Sequence, residues 1–412
     1  MFMVKKPLAF LIAPFLFVLS LAPAASSGGI SPLFSDSVLT ANFGAAPVLP
    51  EPPEAGEPLL TPLPARGLKG DFTAVPEYSF GYLNDLVVKA VNASARSFDG
   101  AIFSVTMKDI PDAIMSARAR GVKTRLIIDE AHVYPRMDTQ IKRMIQDGVE
   151  IRTLRGTRSY GVMHNKITIH DGELATVGSY NWTFGATFSS HENTIIARHP
   201  IYVDGYKRYF DWMWTHARPL SSGPSPEVPT GGYGAPPADP SPVMSLNGQP
   251  VPAYVFSPGG GAQEELARLI DACRTSLDAV TYTFSSKPLA DAVIRARGRG
   301  VRVRFMIDEQ RGAEAGLAKY LLDNGVNIKF RGGRNEKGAM HSKYVILDGQ
   351  ILQTGSFNWT VNASANSFEN MIFVGDPGAV DAYQRNFNWL FAEAYTPSQD
   401  SFDLNGGKTL PD

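Results

Sequence analysis

His164 and Lys166, followed by Asp171, Gly178, Ser179, Asn181 and Glu192, form a set that recurs with every internal spacing unchanged as His341, Lys343, Asp348, Gly355, Ser356, Asn358 and Glu369. Seven identities at fixed spacing would arise by chance at a given start about once in a billion, so the second set is a copy of the first. Duplication copies structural residues too, yet the neighbouring histidines have diverged. His170, His191 and His199 face Leu347, Phe368 and Asp376 in the other copy, and His132 faces Arg311. His164 alone keeps a histidine counterpart, so the others are read as surface or packing residues. A neutral imidazole can attack phosphorus, and a second, protonated imidazole can give the leaving alkoxide its proton. Each set is thus half a site for phosphodiester cleavage. Lys166, Lys343, Asn181 and Asn358 would neutralise the nonbridging oxygens, a role often filled by a metal. The sequence offers no Cys pair and no further His/Glu grouping with ligand spacing, so neither a metal nor another cofactor is expected.

The elements that position these residues are also duplicated. Residues 120–130, Arg-Gly-Val-Lys-Thr-Arg-Leu-Ile-Ile-Asp-Glu, recur at 299–309, and Val203-Asp204-Gly205-Tyr206 recurs as Val380-Asp381-Ala382-Tyr383. The offset is 179 in the first block and 177 in the later one, which implies a small deletion in a loop between them. In each copy helix and strand patterns alternate. Leu86 to Ala95 and Leu266 to Cys273 have helical apolar spacing; Ala101 to Val105 and Ala279 to Phe284 read as strands. Asp112 to Arg120 and Asp291 to Arg299 read as helices begun by an acid and stopped by Gly121 and Gly300. Arg125 to Ile128 and Arg304 to Ile307 are the next strands. This alternation argues an α/β sandwich with helices covering a mixed sheet. Ile167 to Ile169 and Tyr344 to Leu347 mark strands, so residues two apart, such as His164 and Lys166 or His341 and Lys343, point the same way. Asn181 and Asn358 follow Gly-Ser pairs, where the backbone can come close to an anion.

The motifs His164-x-Lys166-x4-Asp171 and His341-x-Lys343-x4-Asp348 resemble the paired signatures of the phospholipase D superfamily. The resemblance covers both repeats, roughly Asp71 to Pro397. It implies two tandem α-β-α sandwich domains packed face to face with pseudo-twofold symmetry, sharing one site. It further implies His164 as the nucleophile that forms a phosphohistidine and His341 as the general acid that later activates water. Lys166, Lys343, Asn181 and Asn358 would hold the phosphate, Glu192 and Glu369 would fix the imidazole tautomers, and Asp171 and Asp348 would be mainly structural. The context Gly178-Ser179-Tyr180-Asn181-Trp182-Thr183 and Gly355-Ser356-Phe357-Asn358-Trp359-Thr360 is similar to the branch of small bacterial endonucleases and cardiolipin hydrolases. The two sets are equivalent in sequence, so nucleophile and acid are assigned by analogy, and their titration is coupled.

The remaining segments bound the setting. Lys5 and Lys6 precede the apolar run Leu8 to Leu21, and Ala22-Pro23-Ala24 gives a small-x-small cleavage pattern. Residues 1–24 are therefore expected to be a signal peptide and the protein to be exported, periplasmic or secreted, with no membrane-spanning segment after cleavage. Loss of Lys5 and Lys6 takes the formal charge from −1 to −3, so any affinity for polyanions or membranes comes from local patches. Cys273 is the single cysteine, which excludes an internal disulfide and reads as a buried structural thiol. Residues 25–70 read as a Pro/Ala/Gly-rich leader, 71–217 and 251–396 as the two domains, 218–250 as a Pro/Gly linker too poor in apolar side chains to pack, and 397–412 as a polar tail. Basic residues precede each motif: Arg152, Arg155 and Arg158, then Lys329, Arg331, Arg334 and Lys337. At the rim of an anion pocket they would steer phospholipid head groups at a membrane surface, or a nucleic-acid backbone. Few aromatics interleave with these charges, Tyr160 being the exception, so no dedicated base-stacking platform is evident. The first expectation is a monomeric, peripheral phospholipase D and the second a nonspecific endonuclease. A phosphatidyl transferase, or a catalytically inactive phosphate-binding module, ranks below both.

Overall fold

The computed structural model describes residues 71–314 and 316–402. The expected signal peptide, the leader and residues 403–412 of the tail lie outside them. Each repeat builds one mixed sheet. The first runs in the order Tyr78–Ser79, Thr194–Ala197, Leu174–Gly178, Lys166–His170, Ser97–Ile102, Lys123–Asp129, Glu150–Leu154, Arg218–Pro219. The second repeats that order as Tyr254–Ser257, Glu369–Val374, Ile351–Gly355, Tyr344–Leu347, Ser276–Thr281, Arg302–Asp308, Asn327–Arg331. In both, three strands are parallel (Ser97–Ile102, Lys123–Asp129 and Glu150–Leu154 in the first) and the rest antiparallel. Helices cover both faces, which is why the central strands are apolar on both sides. Helix Leu83–Ala93 buries Leu83, Leu86, Val87, Ala90 and Val91, one stripe at helical spacing. Helix Asp109–Ala119 ends before Gly121, whose φ of 91° needs glycine, and Val122 N donates back to Ala117 O (3.1 Å). Its counterpart Lys287–Gly298 begins four residues before Asp291 and is capped by the Ser286 side chain, not by an acid. A hydroxyl accepts the free N–H of the first turn as well as a carboxylate does.

Of three apolar clusters among the described residues, one runs through both repeats. It joins helices Pro200–His216 and Pro377–Glu393 to strands of either sheet. Tyr209 stacks on Phe256 across the repeats at 3.9 Å, and Tyr383 meets Phe80 edge-on at 4.7 Å. Contacts between repeats come in pairs related by a pseudo-twofold axis. Two short parallel bridges, Met163 with Phe368 and His191 with Met340, join the sheets. Thr157 N donates to Asn366 O (2.8 Å), as Arg334 N donates to Ser189 O (2.7 Å).

The segment 218–250 is packed, contrary to expectation. Tyr233 lies 4.8 Å from Phe368 and donates to Arg155 O (2.8 Å), Ser225 N donates to Glu130, and Arg158 N donates to Val228 O. Its Pro and Gly residues supply little core of their own, but its backbone groups find partners on both repeats. It ends in a hairpin, Met244–Leu246 with Gln249–Val251, turned by Asn247 and Gly248, both at positive φ. At the other end Phe402, in the expected polar tail, packs 5.5 Å from Phe330. Cys273 is buried, and burial pushes its thiol up to about 12.

Candidate active site

The C-terminal ends of the parallel strands Lys123–Asp129 and Arg302–Asp308 carry buried carboxylates that fix the histidine-bearing segments. Asp129 accepts from Met163 N (2.8 Å), and Asp308 from Met340 N (2.9 Å). Burial lifts Asp129 to about 7. His164 and His341 therefore lie in the bridging segments just ahead of strands Lys166–His170 and Tyr344–Leu347. His164 N donates to Phe368 O (2.9 Å) and His341 N to His191 O (3.0 Å), so each backbone is anchored to the opposite repeat.

The carboxylate partners are exchanged in the same way. His164 Nδ1 lies 2.9 and 3.0 Å from the Glu369 carboxylate oxygens. His341 Nδ1 lies 2.8 and 2.9 Å from those of Glu192. Lys166 and Lys343 each donate to the carbonyl of the histidine two residues earlier, at 2.5 Å. Their ammonium groups lie over Phe103 and Tyr282, 5.0 and 5.1 Å from the ring centroids. The same rings meet His164 and His341 edge-on at 4.9 Å. The Oδ1 atoms of Asn181 and Asn358 are buried without a protein partner, and Asn358 lines the pocket.

Burial drives the charged forms toward neutrality. His164 lies well below the usual imidazole range, depressed first by burial and then by Lys166, Lys343 and His341. His341 falls to about 4, chiefly by burial, with Glu192 opposing. Burial brings Lys166 down to about 7 and Lys343 to about 8, and it lifts Glu369 to about 8 against the pull of Lys166. These mutual influences place both histidines, both lysines and both glutamates within one electrostatic site. An anion entering there would restore the cationic forms, because its charge replaces the lost solvation.

Asp171 and Asp348 are remote from this chemistry. Asp171 accepts from the backbone N–H groups of Ala95, Arg96 and Ser97, and Asp348 from those of Arg274, Thr275 and Ser276. Both tie a turn to the start of the neighbouring strand. A Cβ on Gly178 would lie 2.1 Å from Asn193 O, and one on Gly355 2.3 Å from Asn370 O, so both positions need glycine for the close approach of the neighbouring segment. Ser179 Oγ donates to Glu192 (2.5 Å), and Ser356 bonds Glu369. The serines thus orient the glutamates.

The basic residues before the motifs separate by role. Arg152 and Lys329 lie over Trp214 and Phe391 and donate to the carbonyls of those residues. Arg155 and Arg158 hold the 218–250 segment. Arg334 lies beside the site, where the field of Glu192 reaches it. Among the histidines set aside from the sequence, His170 is buried between Ser94 and Thr168, His191 packs edge-on to Trp389, and His199 caps a helix. His132 lies 4.4 Å from Phe103, at the edge of the site. Sequence reasoning missed Phe103, Tyr282, Asp129 and Asp308. The recurrence of both aspartates at matched positions was the available signal.

A pocket of about 730 Å³ opens from His164, Glu369 and Asn358 towards the second repeat, bounded there by Tyr282, Arg311 and Leu317 and by Tyr160 of the first repeat. Arg311 Nε donates to Tyr282 OH (3.1 Å) and Nη1 to Glu314 (3.1 Å). No cluster of three metal-ligating side chains occurs, and no helix is long and apolar enough to cross a membrane, among the described residues.

The sequence model of the family described as "Cardiolipin synthase, PLD-like domain" matches residues 87–214 and 266–391. The mitochondrial cardiolipin hydrolase of Xenopus tropicalis is 36% identical over 142 residues, 34% of this chain and 66% of that protein. A phospholipase D of Rickettsia bellii is 31% identical over 140 residues, 34% of this chain and 67% of its own length. The chain therefore spans just under two thirds of the cardiolipin hydrolase. The crystal structure of a phosphatidylserine synthase from Haemophilus influenzae superimposes with a TM-score of 0.59 at 14% identity, over 80% of this chain and 91% of that one, which is a likeness of fold.

Proposed function

The chain belongs to the PLD-like domain family of the cardiolipin synthase type, and on that premise we propose that it is a phospholipase D-type phosphodiesterase that hydrolyses the head-group ester of phospholipids. The exchange of glutamates between the two His-Glu pairs carries this reading, because it makes one site out of both repeats. With Nδ1–H donated to a carboxyl oxygen of Glu369, His164 has a free Nε2 lone pair. That lone pair attacks phosphorus, and the bond to the leaving oxygen breaks. His341, protonated and held by Glu192, delivers its Nε2 proton to the departing alkoxide. Neutral His341 then takes a proton from water, whose oxygen displaces His164 and releases the phosphatidic acid. Lys166, Lys343 and the amide N–H groups of Asn181 and Asn358 stabilise the nonbridging oxygens through both displacements.

The substrate class draws support from the names of the relatives, a phospholipase D and cardiolipin hydrolases. The test is head-group release from phospholipid vesicles beside nicking of supercoiled plasmid, each with and without EDTA. Head-group release unaffected by chelator is expected; degraded plasmid with intact vesicle lipid would replace this reading with the endonuclease one. Export rests on the N-terminal basic and apolar run, and fractionation of expressing cells decides it.

A further inference from the structure

Pseudo-symmetry predicts similar rims on the two sides of the site, and the rims differ. Helix Leu83–Ala93 is preceded by Tyr82 at φ 54°, and its counterpart Ala262–Ala272 by Gly261 at φ 71°. Glycine adopts that left-handed conformation freely, whereas a side chain opposes it. The first repeat nevertheless keeps a tyrosine there, 82% exposed. On the short helix that follows Asn181, Phe184 and Phe188 are 65% and 53% exposed, with ring centroids 4.6 Å apart. Their counterparts in the second repeat are Val361 and Ala365. Arg334 gathers this rim together. Its backbone N–H donates to Ser189 O, next to Phe188, and its guanidinium donates to Phe80 O, two residues before Tyr82.

We propose that this rim is a bilayer-docking face, in which Tyr82, Phe184 and Phe188 enter the interfacial layer of a phospholipid membrane beside the phosphate pocket. The inference rests on the phospholipase reading of the same site. A cluster of exposed aromatic rings marks an interaction surface, and at the mouth of a lipid-cleaving site the partner that covers it is the layer from which the substrate comes. Arg331 ends the strand before this rim and the loop after it adds Arg334 and Lys337 against Glu336, with Asp85 and Asp109 beside the start of the Tyr82 helix, so the face is close to charge-balanced and admits zwitterionic as well as anionic head groups. The paired phenylalanines pack on each other and leave no slot between rings, which disfavours a stacked nucleobase. Substrate polarity follows: acyl chains stay with the membrane on the first-repeat side, and the polar head enters the pocket bounded by Tyr282 and Arg311.

The second repeat supplies the test substitutions, since its local fold already accommodates them. In the full chain, Tyr82→Gly, Phe184→Val and Phe188→Ala would be combined. Co-sedimentation with phosphatidylglycerol/phosphatidylethanolamine vesicles, vesicle-lipid hydrolysis and hydrolysis of soluble bis(p-nitrophenyl) phosphate would then be measured. Vesicle binding and vesicle hydrolysis are expected to fall by about tenfold or more, with kcat/KM on the soluble diester within about twofold of the parent. Unchanged vesicle binding, or a matching loss on the soluble diester, overturns the docking face. So does loss of single-stranded DNA binding with vesicle binding intact. A parent protein that binds vesicles but leaves their lipid uncleaved refutes the phospholipase reading instead, and the sedimentation arm still decides the docking face.

Discussion

His164 and His341 occupy near-equivalent surroundings, and leaving-group chemistry separates their roles. Removing a general acid matters little when the leaving oxygen is already a good one, whereas removing a nucleophile always matters. With bis(p-nitrophenyl) phosphate, His341→Ala and Glu192→Gln should release a burst of about one p-nitrophenol per chain and then stall at the phosphohistidine. His164→Ala and Glu369→Gln should give no burst, with turnover down by roughly 10³-fold or more. A burst from His164→Ala would reverse the assignment. The ionisation of the pocket gives a second prediction. Lys166 and Lys343 lose their protons near 7 and 8 in the empty site because burial penalises the charge. They are cationic below those values and neutral above, so kcat/KM for an anionic diester should decline as pH rises through 7 to 8. A bound anion raises both values, so binding of inorganic phosphate at pH near 7.5 should take up protons. Calorimetry in buffers of different ionisation enthalpy reads that uptake, and a buffer-independent heat would contradict it.

At the scale of elements, duplication made much of the architecture legible. Two diverged copies of one pattern reveal which residues persist, so the spacing from His164 to Glu192 and its counterpart exposed the site inventory. The partner of each glutamate was not legible, because Glu192 lies at the same spacing from its own repeat's histidine whichever imidazole it faces. The packing of residues 218–250 was hidden for a related reason, since its partners are backbone groups far away in sequence. The copies also differ inside their sheets. In the first, the Thr168 hydroxyl bonds both His170 and Thr176. In the second, Gln353 stands where Thr176 does, 1% exposed, with neither end of its amide hydrogen-bonded. An unpaired buried amide costs more than it returns. Gln353→Met keeps the volume and removes the polar atoms, so it should stabilise the protein by about 1–2 kcal/mol and raise Tm by a few degrees. A lowered Tm in calorimetry would mean that the amide is satisfied in solution.

At the scale of the molecule, each repeat withholds half of its own chemistry. The first repeat supplies His164 but takes Glu369 from the second, and the second supplies His341 but takes Glu192 from the first. Such an exchange could be closed within one chain or between two, because a twofold arrangement is satisfied by either connectivity. The shared core and the packed 218–250 segment favour closure within one chain: the segment meets Glu130 and Arg155 of the first repeat and Phe368 of the second. Mixing two inactive variants distinguishes the cases. His164→Ala and His341→Ala each leave every intrachain site broken, so an equimolar mixture, even after unfolding and refolding together, should stay inactive. If the repeats pair between chains, half of the random dimers are mixed and each carries one intact site, and activity should return to about a quarter of the parent value. Recovery at that level would move the active site to a subunit interface and make activity depend on protein concentration, while the pairing of each imidazole with the other repeat's carboxylate would stand unchanged.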